Sequence, residues 1–241
     1  MPPALLEVKN LNKRFGGFAA LSGVDLTIQA GEKVGLIGPN GSGKTTLINC
    51  VSGLLKPEEG RILFEGRDIT SVPTHQRARA GITRSFQIPR PFASMTVLEN
   101  LCIPLEYAAR HKASRKGLEA EAEKILALIG LEARSGSKPA DLTQIEMRKL
   151  ELSRALAGRP KLLILDEVMA GLSSSEVDEI VPILLDLAGQ GITIIMIEHI
   201  LRAVMNFSER LVVLDAGRKI ADGTPKEIMK NKDVEKAYLG Q

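Results

Sequence analysis

Apolar residues in this chain fall into short continuous runs separated by turn residues, with one long stretch of helical spacing between them. Lys33 to Ile37 is an apolar run that leads straight into a glycine-rich segment. Leu162-Leu163-Ile164-Leu165 is wholly apolar, Ile192 to Ile197 nearly so, and Leu211 to Asp215 is a shorter run of the same kind. Runs of this length without polar alternation read as strands buried on both faces. Thr45 to Gly53 places Leu47, Ile48 and Val51 at helical spacing, and Glu176 to Ala188 reads as another helix. Buried strands alternating with helices predict an α/β fold whose parallel sheet is covered on both sides.

The two ends of this pattern differ from its middle. Leu5 to Val8, Leu26 to Ile28 and Arg61 to Phe64 read as short strands bounded by glycine and polar turns, a small antiparallel β portion near the N-terminus. From Val97 to about Gly130 helical spacing dominates, and Glu119 to Leu126 is rich in strong helix formers. This is a helical insert, placed at about residues 97–157, and Gly136-Ser137-Lys138-Pro139 reads as the loop that ends its helical stretch.

Composition narrows the class. The chain has 241 residues, 44% hydrophobic and 25% charged, as in ordinary globular domains. A net charge of +3 is too weak to argue for nucleic acid. Two isolated cysteines, Cys50 and Cys102, make neither a disulfide framework nor a zinc-ligand pattern. The N-terminal residues lack a basic region followed by an apolar one, so no signal peptide is expected, and no apolar run approaches the ~20 residues of a membrane span. The expectation is a cytoplasmic protein that works at a membrane only by docking on other subunits.

Gly38-Pro39-Asn40-Gly41-Ser42-Gly43-Lys44-Thr45 fits the phosphate-binding loop, and Thr46 continues it into the helix. Its glycines let several backbone N–H groups converge, and the helix N-terminus that follows favours an anion. Lys44 can reach β- and γ-phosphates, and the Thr45 hydroxyl can ligate magnesium. Asp166-Glu167 ends an apolar strand, which puts both carboxylates where open α/β sheets bind ligands. Asp166 can hold magnesium through a water, and Glu167 can polarise an attacking water. His199 ends a third apolar strand, where it is either a polar stop or a hydrogen-bond partner of a γ-phosphate. Gln87 is either an exposed polar residue or a contact to the magnesium or the water. Phe15, before Gly16-Gly17, either stacks on adenine or joins the core.

In their order these pieces resemble the ATP-binding subunit of an ABC transporter, over essentially the whole chain, from residue 5 to 240. Gly81-Ile82-Thr83-Arg84-Ser85-Phe86-Gln87, Met95 to Leu101, Asp166 to Leu172 and the ending Val234 to Gly240 resemble the branched-chain amino-acid importer branch in particular. The resemblance implies ATP and Mg2+ as ligands, with Glu167, His199 and Gln87 catalytic and Thr45, Gln87 and Asp166 at the metal. It further implies two membrane permease subunits, a second ATP-binding subunit, an external solute-binding protein, and a peripheral place on the cytoplasmic face of the plasma membrane. Pro89-Arg90-Pro91-Phe92 fits the membrane-subunit contact that the family places near Gln87 to Leu101.

The sequence departs from the family at the signature segment. Where Leu-Ser-Gly-Gly-Gln is usual, it has Leu142-Thr143-Gln144-Ile145-Glu146. Thr143 keeps the hydroxyl that by resemblance contacts the nucleotide of the other subunit, but both glycines are gone. Thr143-x-x-Glu146 also fits a helix capping box. Ser173 stands where many members have aspartate or asparagine. Two other readings share the site residues: a lipid- or lipopolysaccharide-exporting ATPase, which usually has proline where Val168 stands, and a non-transport ABC protein.

Overall fold

The computed structural model describes residues 4–85, 89–108 and 114–239, with Leu239 described by its backbone alone. The fold opens with β1 (Leu6–Phe15), β2 (Phe18–Ile28) and β3 (Lys33–Ile37), then α1 (Lys44–Ser52), β4 (Glu59–Phe64), β5 (Arg67–Asp68), α2 (Thr74–Ala80) and β6 (Ile82–Ser85). Next come three helices, α3 (Val97–Ala108), α4 (Arg115–Ile129) and α5 (Gln144–Ala157). The last part runs β7 (Leu162–Asp166), α6 (Ser174–Gly189), β8 (Thr193–Ile197), α7 (Leu201–Phe207), β9 (Arg210–Asp215), β10 (Arg218–Gly223), α8 (Pro225–Ile228) and α9 (Lys232–Leu239).

Two sheets form. The larger has the order β10-β9-β3-β8-β7-β6, and all its pairs are parallel except β9 with β10. The central strands β7 and β8 are buried at every residue, as their unbroken apolar runs require. The smaller sheet is antiparallel, in the order β2-β1-β4-β5. One core cluster lies between the sheets around α1, through Leu6, Ile28, Leu47, Ile48, Ile62 and Ile164. A second fills the opposite face of the large sheet under α6 and α7, through Leu163, Leu165, Leu184, Met196 and Phe207. A third joins α3, α4 and α5 through Leu101, Leu105, Leu126 and Leu150.

Several expected elements are longer than their apolar runs. β1 extends from the expected Leu5 to Val8 as far as Phe15, through register shifts beyond Val8 that interrupt the alternation. The positive φ of 47° at Asn10 belongs to this irregularity. β6 carries no apolar run at all. Ile82 and Ser85 are buried while Thr83 and Arg84 are partly so, and the strand exists because it pairs with β7. The expected helical stretch from Val97 to Gly130 is two helices, α3 and α4, and the expected loop at 136–139 leads into a single helical turn, Pro139–Asp141.

Candidate functional site

The glycine-rich segment links β3 to α1 across one end of the large sheet. Gly38, Gly41 and Gly43 hold φ of 149°, 77° and 103°, a region that residues with side chains rarely enter. At Gly38 the constraint is also steric, because an added Cβ would lie 2.0 Å from the Leu214 carbonyl oxygen. α1 begins without a capping hydrogen bond from any side chain and with no acidic residue in its first turn. A helix that starts this way leaves its N–H groups and its positive dipole end available to an anion.

Lys44 is buried, and its ammonium donates to the carbonyl oxygens of Gly38 at 2.8 Å and Pro39 at 2.9 Å. Burial lowers its pKa, while Glu167 and Asp166 work in the opposite direction. A cation held by neutral carbonyls beside two carboxylates is a ready partner for phosphate oxygens.

A cleft of about 240 Å³ opens over this loop. Its walls are Asn40 to Thr46, Glu167, His199, Ala20, Phe15 and Phe18. Phe15 and Phe18 are 49% and 62% exposed, so neither serves the core, and Lys13 sits 5.4 Å above the Phe15 ring. That removes the core alternative left open for Phe15: it is a surface aromatic at the rim of the cleft over the glycine-rich loop.

Glu167 and His199 meet. His199 Nε2 lies 2.9 Å from Glu167 Oε1, and the Glu167 N–H donates to the Ile197 carbonyl at 2.9 Å. Glu167 has φ of 51° without being glycine, a strained backbone of the sort retained where a side chain must be aimed. His199 is thus more than a polar end to β8. Asp166, one residue earlier, is 7% exposed, and its Oδ2 accepts from Arg84 Nη2.

The exposed Thr45 hydroxyl and the Glu167 carboxylate line this cleft, and the buried Asp166 carboxylate belongs to the residue next to Glu167. Among the described residues, no group of three or more histidine, cysteine, aspartate or glutamate side chains gathers. A sparse set of hard oxygens suits magnesium, which takes few protein ligands and shares itself with phosphates and water. Gln87 lies outside the described residues.

Thr143 is not part of this cleft. It is the N-cap of α5, and with Glu146 it forms the expected capping box: Glu146 N–H to Thr143 Oγ1, and Thr143 N–H to Glu146 Oε2 at 2.8 Å. Arg134 holds the other Glu146 oxygen at 2.7 Å. Ile145, in place of a family glycine, packs partly against the core under α6.

Four residues of structural weight carried no sequence signal. Phe18, the first residue of β2, pairs with Phe15 across the hairpin and lines the same cleft. Arg77 of α2 is 2% exposed and donates to four carbonyls, those of Cys50 and Val51 at the end of α1 and of Thr70 and Val72. Glu198 is 4% exposed and accepts the Met169 N–H at 2.7 Å. Burial pushes its carboxyl up to about 7, with Glu167 adding to the rise. Glu151 on α5 accepts the Arg90 N–H at 2.7 Å and the Arg154 guanidinium, whose ring contact is Phe92.

Comparison with known proteins accounts for this arrangement. Residues 21–170 match the model of the ABC transporter family, and residues 218–241 match that of the branched-chain amino acid ATP-binding cassette transporter. The chain belongs to the ABC transporter family. It is 36% identical to the high-affinity branched-chain amino acid transport ATP-binding protein BraF of Pseudomonas aeruginosa, over 100% of both proteins. It is 38% identical to the corresponding protein LivG of Escherichia coli K12, again over 100% of both. Among solved structures it resembles an ATP-binding cassette of an ABC transporter in its ADP conformation, with a TM-score of 0.89, 36% identity and 99% of both proteins covered. The same TM-score and identity relate it to a nucleotide-free cassette, which is covered over 100% of its length against 99% here. The cassette is therefore an α/β P-loop ATPase of an ABC importer.

Proposed function

We propose that this cassette powers the uptake of branched-chain amino acids, or of a closely related small solute, through two membrane permease subunits. The observation that carries this reading is the match of residues 218–241 to the model named for branched-chain amino acid cassettes, beside full-length likeness to ATP-binding proteins named for that transport. A second ATP-binding subunit completes the ATPase, and an external solute-binding protein delivers the solute to the permeases. The cassette is peripheral, on the cytoplasmic face of the membrane; among its described residues no helix is long and apolar enough to cross a bilayer.

In this reading the triphosphate lies along Gly38 to Thr46, with adenine against Phe15. Lys44 leaves the Gly38 and Pro39 carbonyls for the β- and γ-phosphate oxygens. Thr45, Asp166 and Gln87 hold magnesium, which when bound offsets the negative charge that develops on the phosphates. Glu167 accepts a hydrogen bond from the attacking water and aims it in line with the γ-phosphate. His199 keeps Glu167 in that direction and reaches the γ-phosphate itself. Thr143 faces the nucleotide of the second ATP-binding subunit. The segment from Arg90 to Phe92, tied to Glu151 and Arg154 of α5, meets the permeases.

The test is purification of the tagged cassette from membranes in mild detergent, with identification of what accompanies it. Two permeases and a second ATP-binding subunit are expected, along with ATP-dependent uptake of leucine, isoleucine or valine by the reconstituted complex. A cassette that stays fully soluble and alone after gentle lysis contradicts the assignment.

A further inference from the structure

Arg84 is the only charged residue of β6, and its guanidinium joins two other elements. Nη1 donates to Asn49 Oδ1 on α1 at 2.6 Å, and Nη2 donates to Asp166 Oδ2 at the end of β7. The ion-paired side chains are almost out of solvent, at 8% for Arg84 and 9% for Asp166. Asn49 stands four residues after Thr45, on the same face of α1. The fork of Arg84 therefore ties the Asp166 carboxylate to the helix face that carries the Thr45 hydroxyl.

We propose that Arg84 is a positioning residue for the metal site: it fixes Asp166 relative to Thr45, so that the pair is aligned before nucleotide arrives. The inference rests on the reading of Asp166 and Thr45 as magnesium-holding groups. A guanidinium suits the task because its donors point in fixed, coplanar directions, whereas a lysine ammonium cannot span both partners in the same way. The charge of Arg84 opposes a second cation. Its removal, however, leaves a buried carboxylate without its donor, which is strongly unfavourable, and the side chain turns to other donors such as Lys44. Loss of aim then outweighs relief of repulsion.

The experiment measures binding of adenylyl imidodiphosphate to the full-length cassette by calorimetry, once in EDTA and once in magnesium chloride. The ratio of the two dissociation constants is the metal enhancement. Arg84→Met should leave metal-free affinity within about twofold and cut the enhancement by roughly 10-fold or more, the usual effect of removing an outer-shell partner. Arg84→Lys should recover part of it, and Asn49→Ala, which frees one end of the fork, should lose part of it. If Arg84→Met does not fold, the lysine and Asn49 variants carry the test. An enhancement that is unchanged or higher in these variants, or metal-free binding lost to the same degree, overturns the proposal. Asp166→Asn separates the layers. If it keeps the enhancement, or if the wild type shows none, the magnesium reading falls and Arg84 with it. If it abolishes the enhancement while the Arg84 variants keep it, only the role of Arg84 falls.

Discussion

His199 and Glu167 share a hydrogen bond of 2.9 Å between the ends of two neighbouring parallel strands, β8 and β7. The contact fixes the direction of a carboxylate whose own backbone is already held at a φ of 51°. Without it the carboxylate keeps its charge but loses its aim. Replacing His199 with alanine should lower turnover of the assembled transporter by about 10²-fold, the scale of a small misplacement at a reacting centre. ATP affinity should change little. A turnover within twofold of wild type would remove His199 from the site.

Arg77 is buried and bonded only to carbonyl oxygens, two of them at the C-terminal end of the helix that begins with Lys44. A cation there complements the helix dipole, partners the Val51 carbonyl and supplements the Gly53 N–H that reaches the Cys50 carbonyl at 3.2 Å. Arg77→Ala removes all four of its hydrogen bonds to carbonyls at once and leaves Cys50 with the Gly53 N–H alone. Urea unfolding should show a loss of roughly 3–5 kcal/mol. A loss under about 1 kcal/mol would mean that water or a shifted α2 replaces the guanidinium.

Glu198 gives stability a pH dependence of known sign. Its carboxyl has a folded pKa raised from 4.5 to about 7, by burial first. A raised carboxyl favours the folded state while protonated. Its contribution is full below 4.5 and is lost as pH rises through 7. Glu198→Gln keeps an oxygen for the Met169 N–H and removes the titration. Its urea midpoint should gain on wild type between pH 4.5 and 7, by up to ~3 kcal/mol in stability. Parallel profiles across that range would show that Glu198 stays charged and solvated.

The signature segment predicts two unequal nucleotide sites. Thr143 and Glu146 cap their own helix, and the Glu146 carboxylate, paired with Arg134, adds a negative charge where the family usually has glutamine. In the proposed complex, the site that depends on this segment belongs to the second ATP-binding subunit. Glu167→Gln here should remove most activity of a mixed dimer, while the matching change in the partner costs less. Equal losses would show that Thr143 and Glu146 serve phosphate as well as the glycine form does.

The large sheet was readable because β7 and β8 are buried at every residue and β3 at all but Lys33, so the interior of each run is apolar. The phosphate loop was readable because its geometry demands glycine at fixed positions. β6 was not, since its strand state comes from pairing with β7, and Arg84 looks like any surface charge until its partners are known. Arg77 and Glu198 escaped for the same reason: a buried ion is written in its partners, and those are 26 and 29 residues away in sequence. Phe15 was found, but its role at the rim needed Phe18 and the cleft, which only the turn between β1 and β2 brings together.

The central claim is that this cleft hydrolyses ATP with Glu167 aiming the water. The most direct measurement is ATP turnover of the assembled transporter carrying Glu167→Gln, together with ATP affinity of the same variant. The glutamine keeps the shape of the side chain and a hydrogen bond to His199 but loses the carboxylate charge. Turnover should fall by about 10²-fold or more, the usual loss on removing a general base, with ATP bound as tightly as by wild type. Turnover within twofold of wild type would contradict the account.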